Sequence, residues 1–354
     1  MDTPLDTPLD TPFGGPIGGR SVTITSPCRL SFTLIDLTGA SGRRNGMASM
    51  PVEDPSFVAT LAPSGVMAVD PVEGLDDYGA LIIGYLERVR ATLGGGAARV
   101  TIARPIPTHS GFGSKTNTLL SVGKAYAALN GIATTTTQLA ELAGRAGTSG
   151  GTVNLIDSGG FLVDGGHATP PDFAGAPNRY LVPSRYAGAG RRPPALINLP
   201  FPDWPVLMIL PDGAHIHGEA ELAFFRATLP IPEAESHRTA HMVLMRLAPA
   251  VAEADYGGFC NALNAITFES WFKRLQIGLQ NDHLKHVVDH ARDHGIDAIG
   301  MSSMGPVCFA FTRDPERATA WLDGLVSERV VRRHWFTRIA NRGAAIHLRE
   351  AASA

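Results

Sequence analysis

Lysine is scarce in this chain: Lys115, Lys124, Lys273 and Lys285 are the only four, and arginine carries the rest of the positive charge. Cysteine is scarcer still. Cys28, Cys260 and Cys308 are far apart and form no C-x-x-C pair, which excludes a zinc ribbon or dithiol redox motif and reads as buried thiols in a reducing cytoplasm. No apolar run reaches the roughly 18 residues of a membrane-crossing helix, because Pro, Gly or a charge interrupts each one. A net charge of -3 lacks the basic excess that binds nucleic acid or an anionic membrane surface, so neither partner is expected. Residues 1–20 repeat Thr-Pro-Leu-Asp and then run through Gly-Gly-Pro without a charged start or apolar stretch. They read as a disordered tail rather than a signal peptide.

What is present is ordinary globular composition, 44% hydrophobic and 18% charged over 354 residues, enough for two domains with their own cores. Residues 21–37 alternate apolar and polar side chains as a strand does, and residues 100–103 form another short strand. A helix is expected over 115–129, stopped by Asn130-Gly131. Further helices are expected over 137–145, 235–253, 256–265, 282–294 and 315–325, and strands over 161–163, 206–210, 298–301, 307–311 and 344–348. Strands and helices interleave without a regular βαβ repeat, so the fold class is α+β. The Pro- and Gly-dense stretch 170–205 sets a boundary near its end. The expected division is a tail at 1–20, an N-terminal domain at 21–200 and a C-terminal domain at 201–354.

Three segments carry candidate chemistry. In Pro107-Thr108-His109-Ser110-Gly111-Phe112-Gly113-Ser114, a Gly/Ser loop opens a helix, whose first N–H groups and dipole favour an anion. Gly111 and Gly113 allow close backbone approach, Ser114 and Thr116 add hydroxyls, and Lys115 adds a mobile positive charge. Ser302-Ser303-Met304-Gly305-Pro306 is a small-residue loop between two apolar strands, far away in sequence. Gly147-Thr148-Ser149-Gly150-Gly151-Thr152, with Asp164-Gly165-Gly166-His167 close behind, reads as flexible hydroxyl-rich backbone. Arg43 and Arg44 are either a solvated pair or phosphate partners. Asp36 is either a strand-end acid or the acid of the site, and His215 and His217 are either a solvated connection or two metal ligands without a third.

Together these segments resemble the GHMP kinase superfamily, whose Pro-x-x-x-Gly-Leu-Gly-Ser phosphate loop matches residues 107–114 and whose second domain carries a loop like 302–306. Within it the chain is similar to the β-ribofuranosylaminobenzene 5'-phosphate synthases. That likeness runs through Pro27-Cys28-Arg29-Leu30-Ser31-Phe32-Thr33-Leu34-Ile35-Asp36-Leu37, Ser114-Lys115-Thr116, residues 147–151 and 159–167, Gly218-Glu219 and 302–306. The resemblance implies a GHMP-kinase-like two-domain α+β fold with a ferredoxin-like C-terminal domain. It also implies a magnesium-dependent, cytoplasmic homodimer that joins 5-phosphoribosyl 1-diphosphate to 4-aminobenzoate with release of pyrophosphate and carbon dioxide. Lys115, Asp36 and Ser114 are then the catalytic candidates. Substrate contacts fall to Arg29, Arg43, Arg44, His109, Ser110, Gly111, Gly113, Thr116, Thr148, Ser149, Gly150, Thr152, His167, Ser302, Ser303, Met304 and Gly305. No metal ligand is assigned.

Three positions depart from the pattern. Phe112 stands for Leu, Asn117 for Gln, and Thr152 for the acid with which the kinases orient or deprotonate an acceptor hydroxyl. A kinase using ATP on the same loop and a ligand sensor without turnover remain as alternatives.

Overall fold

The computed structural model describes residues 19–72, 76–147, 150–184, 186–187, 190–214 and 216–350. Most of the expected tail, together with Thr148, Ser149 and His215, lies outside them. The first half runs β1 (Ser21–Asp36), β2 (Arg43–Pro63), β3 (Ala68–Val69), α1 (Asp76–Leu93), β4 (Ala98–Arg104), α2 (Ser114–Asn130), α3 (Thr136–Leu142), α4 (Gly150–Ser158), β5 (Phe161–Asp164), β6 (His167–Ala168) and β7 (Ala195–Leu199). The second runs β8 (Val206–Pro211), α5 (Glu219–Thr228), α6 (Glu233–Met242), α7 (Ala248–Ala252), α8 (Tyr256–Glu269), α9 (Trp271–Gly278), α10 (Asp282–His290), β9 (Ala298–Met301), β10 (Cys308–Phe311), α11 (Pro315–Ser327), β11 (Val331–Thr337) and β12 (Ala345–Arg349).

The strands form two sheets. One follows the order β12-β1-β2-β4-β3, with β5 and β6 also paired to β2 and β7 paired to β5; the other is β11-β8-β10-β9. Every pairing is antiparallel except β3 with β4. The chain's last strand crosses back to the first sheet, where Ile24 of β1 faces Ile346 of β12. Helices α2 and α4 pack on β1 and β2, while α8 packs on β9 and α11 on β11. Among the described residues no helix is long and apolar enough to cross a membrane.

Period-two alternation makes β1 legible. Its odd-numbered first half is partly exposed while Val22, Ile24, Cys28 and Leu30 are fully buried. Past Arg29 both faces become covered, and Phe32 meets Phe161 of β5, Phe259 of α8 and Phe309 of β10 edge-on at 5.8, 6.2 and 5.4 Å. Such edge-to-face rings add about 1 kcal/mol each beyond their buried area. One aromatic side chain therefore fastens the first sheet to the second half of the chain.

Two departures from the sequence reading concern glycine. The stretch 147–152 was expected to be flexible, but Gly150 and Gly151 open α4. They are glycine because the helix end is crowded: a Cβ on Gly150 would lie 2.7 Å from the Asp164 carboxyl carbon, and one on Gly151 2.8 Å from Ser49 Oγ. The long strand β2 was not read at all, since Gly46, Pro51 and Pro55 break its alternation and imitate turns.

Ser302 ties the loops together. Its hydroxyl donates to Gly111 O at 2.7 Å and accepts from Ser31 N–H at 3.0 Å, and the residue is fully buried. Ser302→Ala would leave a buried N–H and a half-buried carbonyl without this partner, so a loss of about 2 kcal/mol is expected in denaturant unfolding. A change within about 0.5 kcal/mol, as for a surface substitution, would contradict this bridge.

Candidate functional site

The Gly/Ser loop enters α2 through left-handed backbone at Gly111 (φ 91°) and Gly113 (φ 69°), a conformation glycine adopts without strain. Phe112 between them is buried in the core and anchors the loop. The space beside Gly111 is taken: an added Cβ would lie 2.5 Å from Ser302 O. Helix α2 has no side-chain cap and no acid in its first turn. Its leading N–H groups and its dipole are thus presented to an outside anion.

A second helix end arrives at the same place. A Cβ on Gly113 would lie 2.9 Å from Thr152 Oγ1, in the first turn of α4, and 3.1 Å from Arg29 Nη2. Arg29 projects from β1 between the two helix starts, its Nε reaching Thr152 Oγ1 at 3.5 Å and its Nη1 buried without a hydrogen-bond partner. Burial lowers the Arg29 pKa to about 10, so the guanidinium stays cationic at neutral pH, supported by the Asp164 carboxylate. Two helix N-termini and one cation converge here, a site built for negative charge.

Asp164 ends β5 against the start of α4. Its Oδ1 accepts from Gly166 N–H at 2.9 Å, while Oδ2 is buried and unpartnered. Burial pushes its pKa up to about 7, against the opposing pull of that N–H, Arg29 and Arg43. One cavity joins Arg29 and Asp164 to Gly150 and His167, and to Ser303, Met304, Glu221, Lys273 and Gln276 of the second half. Leu34, Met47, Val182 and Phe225 give it apolar walls. Burial raises the Glu221 pKa to about 7 and lowers that of Lys273 to about 7. His167 is pushed down to about 4 by burial and then by Arg44, so its imidazole is neutral.

Other expected site residues are held in contacts of their own around the site. Both oxygens of Asp36 are engaged in the turn that follows β1: Oδ1 accepts from Thr38 N–H, Thr38 Oγ1 and Gly39 N–H, and Oδ2 from Ser41 Oγ at 2.7 Å. That geometry is a turn cap, and those bonds hold its pKa below the usual carboxylate value despite partial burial. Arg43 donates to Gly165 O and Gly166 O, and Arg44 donates to Tyr180 O, so both brace loops beside the cavity. Thr116 Oγ1 accepts from Arg145 Nε at 2.8 Å on the inward side of α2, and Asn117 ties α2 to Pro27 O. Ser110 Oγ bonds Thr108 O, and the His109 ring lies 4.5 Å from that of His217. Ser114 Oγ meets Tyr78 Oη at 3.3 Å, and Lys115 is exposed on the first turn of α2. Gly305 turns the second loop at φ 69°, and Met304 Sδ accepts from Gln276 Nε2. Among the described residues no group of three or more His, Cys, Asp or Glu could hold a metal ion.

Three cavity residues were not singled out from the sequence: Asp164, Glu221 and Lys273. Lys273 did carry a signal, being one of only four lysines and lying amid Trp271-Phe272, where a surface lysine is out of place. Asp164 stood in view before Gly165-Gly166, but nothing in the order of residues shows that β5 brings it to Arg29.

The pattern of the GHMP kinases N terminal domain matches residues 80–159, which include the loop and α2. The chain is 34% identical over 293 residues to the beta-ribofuranosylphenol 5'-phosphate synthase of Archaeoglobus fulgidus, covering 82% of this chain and 87% of that protein. It is 31% identical over 297 residues to the protein of the same name from Methanocaldococcus jannaschii, covering 81% and 88%. Among solved structures it is similar to a homoserine kinase from Cytophaga hutchinsonii (TM-score 0.65, 15% identity, 92% and 97% covered) and to L. major mevalonate kinase (TM-score 0.63, 14% identity, 90% and 96% covered). At such identities the structural likeness speaks for the fold alone. The chain belongs to the beta-ribofuranosylphenol 5'-phosphate synthase family and carries it on the GHMP kinase fold.

Proposed function

We propose that the chain transfers the phosphoribosyl group of 5-phosphoribosyl 1-diphosphate to the carboxyl-bearing ring carbon of a para-substituted benzoate, releasing pyrophosphate and carbon dioxide. The observation that carries this reading is the convergence of α2, α4 and Arg29 on one anion site that opens beside the cavity of Asp164 and Lys273. The diphosphate lies at the helix ends, where preorganised N–H groups and Arg29 stabilise charge as it builds on the leaving group. Exposed Lys115 adds charge from the solvent side of the same turn. Magnesium would enter with the diphosphate, bound largely through phosphate oxygens and water. When bound it supplies further neutralisation of the departing diphosphate.

The ribosyl carbon loses its oxygen, with the electron pair, to the diphosphate. It gains a bond from the ring carbon, which the para substituent makes electron-rich. The bond from that ring carbon to the carboxylate then breaks, its electron pair restores aromaticity, and carbon dioxide leaves. No proton has to be taken from the acceptor. A kinase must dispose of a hydroxyl proton, whereas this reaction tolerates Thr152 in place of the kinase acid. Asp164, on the cavity side of Arg29, faces the cationic ribosyl centre with its unpartnered oxygen. The relatives' name specifies a phenol product, which favours 4-hydroxybenzoate as acceptor; the resemblance read from the sequence favours 4-aminobenzoate. Both have the required para donor.

Given 5-phosphoribosyl 1-diphosphate, magnesium and either acid labelled in its carboxyl group, the protein is expected to release label one-for-one with pyrophosphate. Phosphorylation of a hydroxylated acceptor by ATP, with no label released, would establish the kinase reading instead. Asp164 also predicts a pH profile. Its pKa, raised to about 7, leaves it protonated below that pH, so kcat/KM for the donor should climb through about pH 7 as the carboxylate forms. Asp164→Asn should lower the plateau about a hundredfold and flatten the climb; an unchanged profile in that variant would remove Asp164 from the reaction.

A further inference from the structure

Lys273 is the least explained charge in the molecule. It is 1% exposed, in the first turn of α9, and its Nζ donates to Met301 O at 3.0 Å. An ammonium has three donors, and among the described residues no carboxylate pairs with this one. The groups facing it are Cys308 on β10 and Arg29 on β1, with Asp164 of β5, Glu221 of α5 and His167 of β6 around the same cavity. Burying an unpaired ammonium is costly, and such a group is retained where an incoming anion completes it. The walls beside it are apolar: Phe225, Met304 and Leu34.

We propose that Lys273 is the counter-ion of the acceptor's carboxylate, holding an aromatic acid against Phe225, Met304 and Leu34 with its carboxyl-bearing carbon turned toward the ribosyl site. This inference rests on the phosphoribosyl-transfer reading and assigns the acceptor's place within it. One buried cation among apolar side chains matches a benzoate. A phosphate, needing many donors, belongs at the helix ends beside Arg29. The geometry also separates substrate from product, because the arylated ribose has lost the carboxylate and with it the ion pair. Lys273 is a positioning residue in this scheme: it sets the ring carbon in place and takes no part in bond making.

The pairing is linked to protons. Burial holds Lys273 near pKa 7 in the free protein, and a bound carboxylate favours the charged form. Acid binding at pH 8 should therefore take up close to one proton, and binding at pH 6 much less. Asp164 and Glu221 titrate in the same range, so the variant Lys273→Met, similar in size and uncharged, is needed to assign the proton.

Calorimetry of 4-hydroxybenzoate and 4-aminobenzoate, with and without the donor, in buffers of different ionisation enthalpy, tests this on the full chain. Wild type should bind an acid with proton uptake at pH 8. Lys273→Met should bind it at least tenfold more weakly without that uptake, and phenol and aniline should bind both proteins alike. Equal acid affinity and equal uptake in the two proteins would overturn the proposal. So would inorganic phosphate displacing the acid from wild type in a Lys273-dependent way, since the lysine would then be a phosphate ligand. Phenol and aniline bound alike by both proteins show that the variant is folded, so the comparison of acid affinity decides the proposal without reference to any titration. Discrimination by Lys273 in a protein that releases no pyrophosphate would support the acid site and remove only the reaction.

Discussion

The hydroxyl of Ser302 hydrogen-bonds together three parts of the chain that lie far apart in sequence. It accepts from Ser31 on β1 and donates to Gly111 in the Gly/Ser loop, residues 271 and 191 positions away in sequence. The contact is possible because Gly111 has no side chain, its missing Cβ leaving room for Ser302 O. Since β1 also carries Arg29, the bridge fixes the guanidinium relative to the start of α2. The loop 302–306 in turn presents Ser303 and Met304 to the cavity. Loop, cation and cavity are thus one mechanical unit.

Around that unit the protein gathers charges that would be expensive anywhere else. Arg29 has a buried nitrogen without a partner, Asp164 a buried oxygen without one, and Lys273 a single acceptor for three donors. Burial holds Asp164, Glu221 and Lys273 near pKa 7, so modest changes in their surroundings change their charge. A donor and an acceptor that bring both phosphate and carboxylate would satisfy these groups. The walls supplied by Phe225 and Leu34 suit an aromatic ring between them.

Much of the fold could be read from residue order, because its signals are local. The alternation of β1, the helix of α2 with its Gly131 stop, and the strands on either side of 302–306 lie where period and turn chemistry place them. What failed were segments whose glycines and prolines answer to distant neighbours. Gly150 and Gly151 look like a loop but are small because Asp164 and Ser49 crowd the start of α4. The candidate site was legible where backbone makes it and, through the family resemblance, at Arg29 and His167. Gly111, Gly113 and the loop at Ser302 announced themselves, whereas Asp164 and Lys273 matter because sheet pairing and the packing of α9 deliver them to one cavity. Asp36 shows the converse, an acid in a promising stretch whose oxygens are consumed by its own turn.

The central claim is that the diphosphate of the donor rests where α2 and α4 begin, with Arg29 between them and the ribose directed toward Asp164. A crystal structure of the protein with magnesium and a carbocyclic, non-reacting analogue of 5-phosphoribosyl 1-diphosphate tests it most directly. The account predicts diphosphate density in hydrogen-bond contact with the first N–H groups of α2 and with Arg29, and the sugar ring on the cavity side. Diphosphate bound away from both helix starts, with Arg29 still facing Thr152 alone, would contradict it.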